Sequence, residues 1–187
     1  MRTSFLKIKP RLLAVLKTFT FNVVVLGLIV FIFVWQQWVI NFTPSMPIGL
    51  WRVENSVNIV RDGVVLVCFP KEFSKTPVIS ENDNLVSGSC KNGYAPLLKE
   101  VRGMPGDTIT ISKQNVRIND KSIHASITRT RNAQGKAITH MPFGMHVLGK
   151  DEYWVLSNQH PNSFDSRYFG PIKNSWIVGI AKPVLVF

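Results

Sequence analysis

No acidic side chain occurs before Glu54, and no charged side chain of either sign lies between Thr18 and Trp51. The first absence leaves Arg2, Lys7, Lys9, Arg11 and Lys17 without nearby counter-charges. The second excludes an ordinary solvated start to a globular domain. Internal repeats and low-complexity tracts are also absent, which excludes a solenoid or an array. Only two cysteines are present, and the four histidines stand apart from them and from each other without ligand spacing. No metal site and no cofactor are expected. The net charge is +11, but the basic residues are not interleaved with aromatics and form no recognised reading motif. Nucleic acid is therefore not expected as a partner.

What fills the uncharged window is apolar. Phe19–Ile40 is mostly Val, Leu, Ile, Phe and Trp, and about 20 mostly apolar residues span the hydrocarbon core of a bilayer as a helix. Trp35 and Trp38 sit near its far end, where amphipathic rings favour the headgroup layer. No small residues stand at suitable spacing for a signal-peptide cut after Trp38, so an uncleaved anchor is expected. The basic tail predicts the N-terminus inside. The expected organisation is a cytoplasmic tail over residues 1–18, a transmembrane anchor over 19–40 and an extracytoplasmic domain over 41–187. Membrane lipid is then a partner of the chain.

Beyond the anchor, short apolar stretches alternate with Gly, Pro and Asn, the pattern of a mainly β domain. Strands are expected at Val64–Phe69, Leu97–Arg102, Glu152–Ser157, Trp176–Ile180 and Val184–Phe187. Thr108–Ser112 and Asn115–Asn119 form an expected hairpin, followed by a turn at Asn119-Asp120. Residues 71–94 are polar and turn-rich and read as an exposed loop. Residues 128–144 read as polar and irregular. Cys68 and Cys90 bracket the first of these loops. In an oxidising exterior compartment they form a disulfide or remain as two buried thiols.

Two residues carry the chemistry. Ser45 lies in Thr43-Pro44-Ser45-Met46-Pro47, directly after the apolar run. Prolines on both sides restrict the backbone and suit a nucleophile that must hold one position. A serine hydroxyl needs a base to remove its proton. Lys99 is flanked by Leu97, Leu98 and Val101, and burial there disfavours the ammonium and lowers its pKa. A neutral amine at that position is a general base for Ser45. Strand alternation turns Glu100 to the opposite face.

Three blocks occur in order: Ser45-Met46-Pro47 after the anchor, Lys99 with Arg102-Gly103-Met104-Pro105-Gly106-Asp107, and Asn162-Ser163-Phe164-Asp165-Ser166-Arg167-Tyr168-Phe169-Gly170-Pro171. Over residues 20–180 the chain resembles type I signal peptidases, the Ser–Lys family S26. Within them, Ser45-Met46-Pro47-Ile48-Gly49-Leu50-Trp51 is most similar to the conjugal-transfer branch of the TraF type. The resemblance implies a signal-peptidase-like β-sheet domain on one membrane helix. It implies Ser45 as nucleophile and Lys99 as general base. The Ser45 backbone N–H and the Thr43 hydroxyl would form the oxyanion hole, Ser163 would orient the lysine, and Asp165 with Arg167 would be a structural pair near the site. It also implies a pilin precursor as substrate, other conjugation-apparatus proteins as partners, and a single-pass location in the bacterial inner membrane with the domain in the periplasm. That branch matures pilins, in some members by joining the new C-terminus to the N-terminus.

The chain departs from the pattern in two places. Ser157-Asn158-Gln159-His160-Pro161 stands where signal peptidases carry Gly-Asp-Asn-Arg-Asp, and Glu100 replaces a basic residue after the lysine. Both argue against a housekeeping substrate range. Two other functions compete with pilin maturation: a general signal peptidase for secreted proteins, and a non-catalytic bitopic subunit of a secretion channel.

Overall fold

In a computed structural model the residues described are 10–35, 37–55, 58–80, 85–132, 135–157, 160 and 162–187. They form two units, one ending at Trp38 and the other running from Val39 to Phe187. The first holds helix α1, Pro10–Trp35. Its segment Arg11–Ile32 is long and apolar enough to cross a membrane. The helix starts earlier than the expected anchor and ends sooner: Trp38–Ile40 belong to strand β1, Trp38–Asn41.

The second unit is mainly β. Its further strands are β2 (Gly49–Glu54), β3 (Val64–Val67), β4 (Leu97–Gly103), β5 (Thr108–Ile111), β6 (Val116–Ile118), β7 (Lys121–Ser122), β8 (Gly144–Val147), β9 (Glu152–Leu156), β10 (Ile172–Lys173) and β11 (Ile177–Val186). Seven strands form one sheet in the order β1-β2-β11-β3-β4-β9-β10, and four form another in the order β7-β6-β5-β8. Period-two patterning explains the smaller sheet: Ile109, Ile111, Val116 and Ile118 are buried, whereas Arg117 between the last two is exposed. The expected hairpin is β5–β6, and the following turn, from β6 to β7, takes Asn119 and Asp120 to positive φ. In the larger sheet, β3 and β4 bury both faces. Val65, Val67 and Val101 join a core with Phe69, Val155, Phe169 and Ile172, while Leu66 and Leu98 join Met46, Trp51 and Val53.

Two expectations fail. Residues 71–94 are not simply an exposed loop. Lys71–Lys75 form a 3₁₀ turn and Pro77–Ser80 a short helix, α2. Ile79 is buried, and Phe73 stacks on Phe69 at 4.8 Å and meets Trp176 at 5.2 Å. A few apolar side chains in a polar stretch pay for its ordering, which periodicity could not reveal. The two expected C-terminal strands are one. β11 carries Pro183 through a register shift between Pro183 and Leu185 against β2, where the missing N–H is tolerated.

Cys68 and Cys90 are bonded, closing a loop with a sequence separation of 22. Replacing both by serine is expected to cost about 3 kcal/mol through the freed unfolded chain. Urea unfolding with and without reductant measures it, and identical midpoints would show the bridge to be dispensable.

Candidate active site

The segment between β1 and β2 holds Ser45 half-exposed, and its carbonyls are fastened by three side chains. Asn41 Nδ2 donates to Thr43 O at 2.9 Å, Met46 O at 2.9 Å and Pro47 O at 3.0 Å. Trp51 Nε1 donates to Pro47 O at 3.1 Å. The Ser157 hydroxyl donates to the Ser45 carbonyl oxygen. Pro44 and Pro47 have no N–H to satisfy, and among the described residues the Ser45 N–H has no acceptor. Thr43 Oγ1 lies 3.1 Å from Ser45 Oγ. The segment leaves through Gly49, where φ is +141° and Val186 Cα stands 2.8 Å from where a Cβ would lie. Only glycine fits there. Gly49-Leu50-Trp51 thus has a structural basis: the glycine admits β11 and the tryptophan ties down Pro47.

Lys99 sits in the middle of β4 with 3 % of its surface exposed. Val65 pairs with it on one side. On the other side Glu100 pairs with Leu156 and Val101 with Val155. Ser157 directly follows Leu156, the partner of Glu100, so it leaves β9 beside the Lys99 end of that ladder. Ser157 therefore joins the two halves of the site, since its hydroxyl holds Ser45. No bond joins Ser45 and Lys99 directly among the described contacts, a separation common in unliganded sites. Among the described residues no carboxylate lies within ion-pair distance of Lys99. Burial pushes the ammonium down to about 8, partly countered by the field of Asp165 and aided by that of Arg167. Glu100 contacts Arg102 at 3.3 Å, two residues along the same strand face and away from Lys99.

The third block packs behind the lysine. Asp165 caps the short helix α3, Ser166–Phe169, and accepts Arg167 Nε at 2.8 Å and Nη2 at 2.7 Å. Both side chains are 0 % exposed. Asp165 also accepts the Ser157 N–H at 3.1 Å, so the ion pair positions the residue that spans the site. Arg167 also donates to Ile127 O at 2.5 Å and Ser163 O at 3.2 Å. The Ser163 hydroxyl is buried without a hydrogen-bond partner and makes no bond to Lys99. Among the described residues no group of three His, Cys, Asp or Glu is placed to hold a metal.

Sequence reading missed Asn41 and Ser157. The Asn41-to-Thr43 spacing is that of an Asx turn and was readable locally. Ser157 was not, because only the β4–β9 pairing brings it to the Lys99 end of that ladder.

A Conjugal transfer protein TraF from Agrobacterium fabrum is 37 % identical over 150 residues, 79 % of this chain and 82 % of that protein. Signal peptidase I V of Bacillus subtilis is 31 % identical over 98 residues, 45 % of this chain and 54 % of that protein. A crystal structure of a signal peptidase I from Enterococcus faecalis covers 66 % of this chain and 96 % of its own at 18 % identity and a TM-score of 0.38. Residues 12–186 match the family described as signal peptidase, peptidase S26. With nearly the whole chain inside that match, the protein belongs to the signal peptidase family, peptidase S26.

Proposed function

We propose that this chain is a membrane-anchored serine endopeptidase that matures conjugative pilin precursors, using Ser45 as nucleophile and Lys99 as general base. The observation that carries the chemistry is Lys99: a buried amine with no carboxylate partner among the described residues, on the strand that pairs with β9, whose next residue, Ser157, holds the Ser45 carbonyl. Ser45 Oγ attacks the carbonyl at the cleavage site as Lys99 takes its proton. The oxyanion is met by the Ser45 N–H and the Thr43 hydroxyl. Lys99 returns the proton to the departing amine, leaving an ester on Ser45. Water then releases a linear product, or the pilin's own N-terminal amine releases a ring. The orienting role for Ser163 rests on the family resemblance: its buried hydroxyl has no partner in this structure and is therefore available to the Lys99 amine in the working complex.

Similarity to the Agrobacterium conjugal transfer protein supports a place in conjugation, and within that setting the proposed substrate is a pilin precursor and the proposed partners are other conjugation proteins. The basic N-terminus supports a cytoplasmic tail, with the peptidase domain in the periplasm at the inner membrane. Coexpression with a candidate propilin, read by intact mass, tests the reading. A shortened pilin supports processing, a product one water lighter than the linear chain supports cyclisation, and unprocessed precursor overturns the proposal. A second reading, a general signal peptidase, is favoured by the match to Signal peptidase I V. Rescue of a strain depleted of its housekeeping enzyme would establish it.

The pH dependence follows from Lys99. The reactive form is the free amine, so kcat/KM is expected to rise about tenfold per pH unit below 8 and to level off above it. A rate independent of pH from 6 to 9 would remove Lys99 as the base.

A further inference from the structure

Asn41 is a buried amide, 7 % exposed, at the end of β1. Its partners settle which way the carboxamide faces. Nδ2 meets the carbonyls of Thr43, Met46 and Pro47, whereas Oδ1 meets the Thr43 N–H at 3.1 Å. A flipped amide would set oxygen against three carbonyl oxygens. Oδ1 is an acceptor only. Thr43 Oγ1, 2.9 Å from it, must therefore donate. A hydroxyl has one proton, so the 3.1 Å contact between Thr43 Oγ1 and Ser45 Oγ can run in one direction: Ser45 donates and Thr43 accepts.

We propose that Asn41 is a positioning residue that acts on Ser45 through Thr43. Its carboxamide oxygen takes the Thr43 hydroxyl proton, which leaves Thr43 Oγ1 as the acceptor that holds the Ser45 hydroxyl in the resting enzyme. When the Ser45 proton passes to Lys99 and the oxygen bonds to the substrate carbonyl, that acceptor is no longer needed. The Thr43 hydroxyl proton then turns from Asn41 Oδ1 to the developing oxyanion. Asn41 Oδ1 keeps the Thr43 N–H throughout, so the turn strands no buried acceptor. One side chain thus sets both the resting direction of the nucleophile and the reserve of an oxyanion donor. The inference rests on Ser45 being the nucleophile.

A double-mutant cycle separates this role from simple support of the loop. Asn41→Ala, Thr43→Val and the double variant are assayed on an internally quenched peptide with alanine at the first and third positions before the cut, with Tm measured in parallel. Each single variant is expected to lower kcat about 10- to 100-fold with KM nearly unchanged. In the Thr43→Val background, Asn41→Ala is expected to lower kcat no further than Asn41→Asp does, because only the lost donors to the loop carbonyls then count. Independent, multiplying losses overturn the proposal, as does an unchanged kcat in Asn41→Ala. Asn41→Asp keeps the acceptor for Thr43 and removes the two N–H donors that three carbonyls share. Its effect is expected to multiply with that of Thr43→Val while its Tm falls, which keeps the test open should Asn41→Ala fail to fold. Non-multiplying losses for Asn41→Asp would also overturn it. Lack of Ser45-dependent cleavage by the wild type would instead remove the peptidase reading, and this inference with it.

Discussion

Ser45→Ala is expected to reduce peptide cleavage by about 10⁴-fold or more, and Lys99→Ala by a similar factor. The two losses should not multiply, because nucleophile and base act on one proton transfer. Neither loss should come from unfolding. Ser45 is half-exposed on a loop whose carbonyls are held by Asn41, Trp51 and Ser157, none of which uses the Ser45 hydroxyl. Lys99 differs in sign. Its folded pKa of about 8 lies below its unfolded value near 10.5, so between those pH values the unfolded chain holds a proton that the folded one has released. Stability therefore rises with pH across that window, and below it the buried ammonium costs about 3 kcal/mol. Lys99→Met fills similar volume without the charge. At pH 7 it is expected to be inactive yet about 1–3 kcal/mol more stable than the wild type. Urea midpoints and peptide turnover on the same preparations check both parts. An active Lys99→Met enzyme would end the dyad assignment, and a destabilised one would show that the amine has a polar partner.

Arg167→Leu is expected to destabilise the domain by about 3–5 kcal/mol, the largest loss from any single side chain outside the apolar cores. The cause is Asp165. The pair is wholly buried, and removing the guanidinium leaves a carboxylate with two backbone N–H donors, of Ser157 and Arg167, and no counter-charge. Ile127 O and Ser163 O lose their donor as well. Replacing both members of the pair by apolar residues should cost less than replacing Arg167 alone, because no charge is then stranded. Urea unfolding of the two single variants and the double measures this. A loss under about 1 kcal/mol in Arg167→Leu would mean that Asp165 is solvated or protonated in the folded state. Lysine is not an adequate replacement at 167. Its point charge cannot meet both carboxylate oxygens and two carbonyls at once.

Much of the site was legible from local sequence. The prolines around Ser45, the apolar neighbours of Lys99 and the Asn-Ser-x-Asp-Ser-Arg run are short-range patterns that survive whatever the rest of the chain does. The β5–β6 hairpin was equally readable, since alternation and turn residues are local. The misread parts depended on distant partners. Phe73 and Ile79 order a polar segment only because Phe69 and Trp176 are there to receive them. Pro183 ends a strand in most settings, but here β2 accommodates it with a register shift.

The sequence by itself determined that the chain has an apolar helix-length segment, a β domain after it, and a serine and a lysine suited to one reaction. Propensity, periodicity and side-chain chemistry are properties of neighbouring residues and need no fold to be expressed. Tertiary structure alone decided that Lys99 is buried without a carboxylate partner among the described residues, that the Ser157 hydroxyl holds the Ser45 carbonyl, and that the Asn41 amide reaches the carbonyls of Met46 and Pro47. Each of these depends on strand register or on a carbonyl brought within 3 Å. Such distances are set by the packed sheet, because one residue of slip would turn Lys99 to the other face.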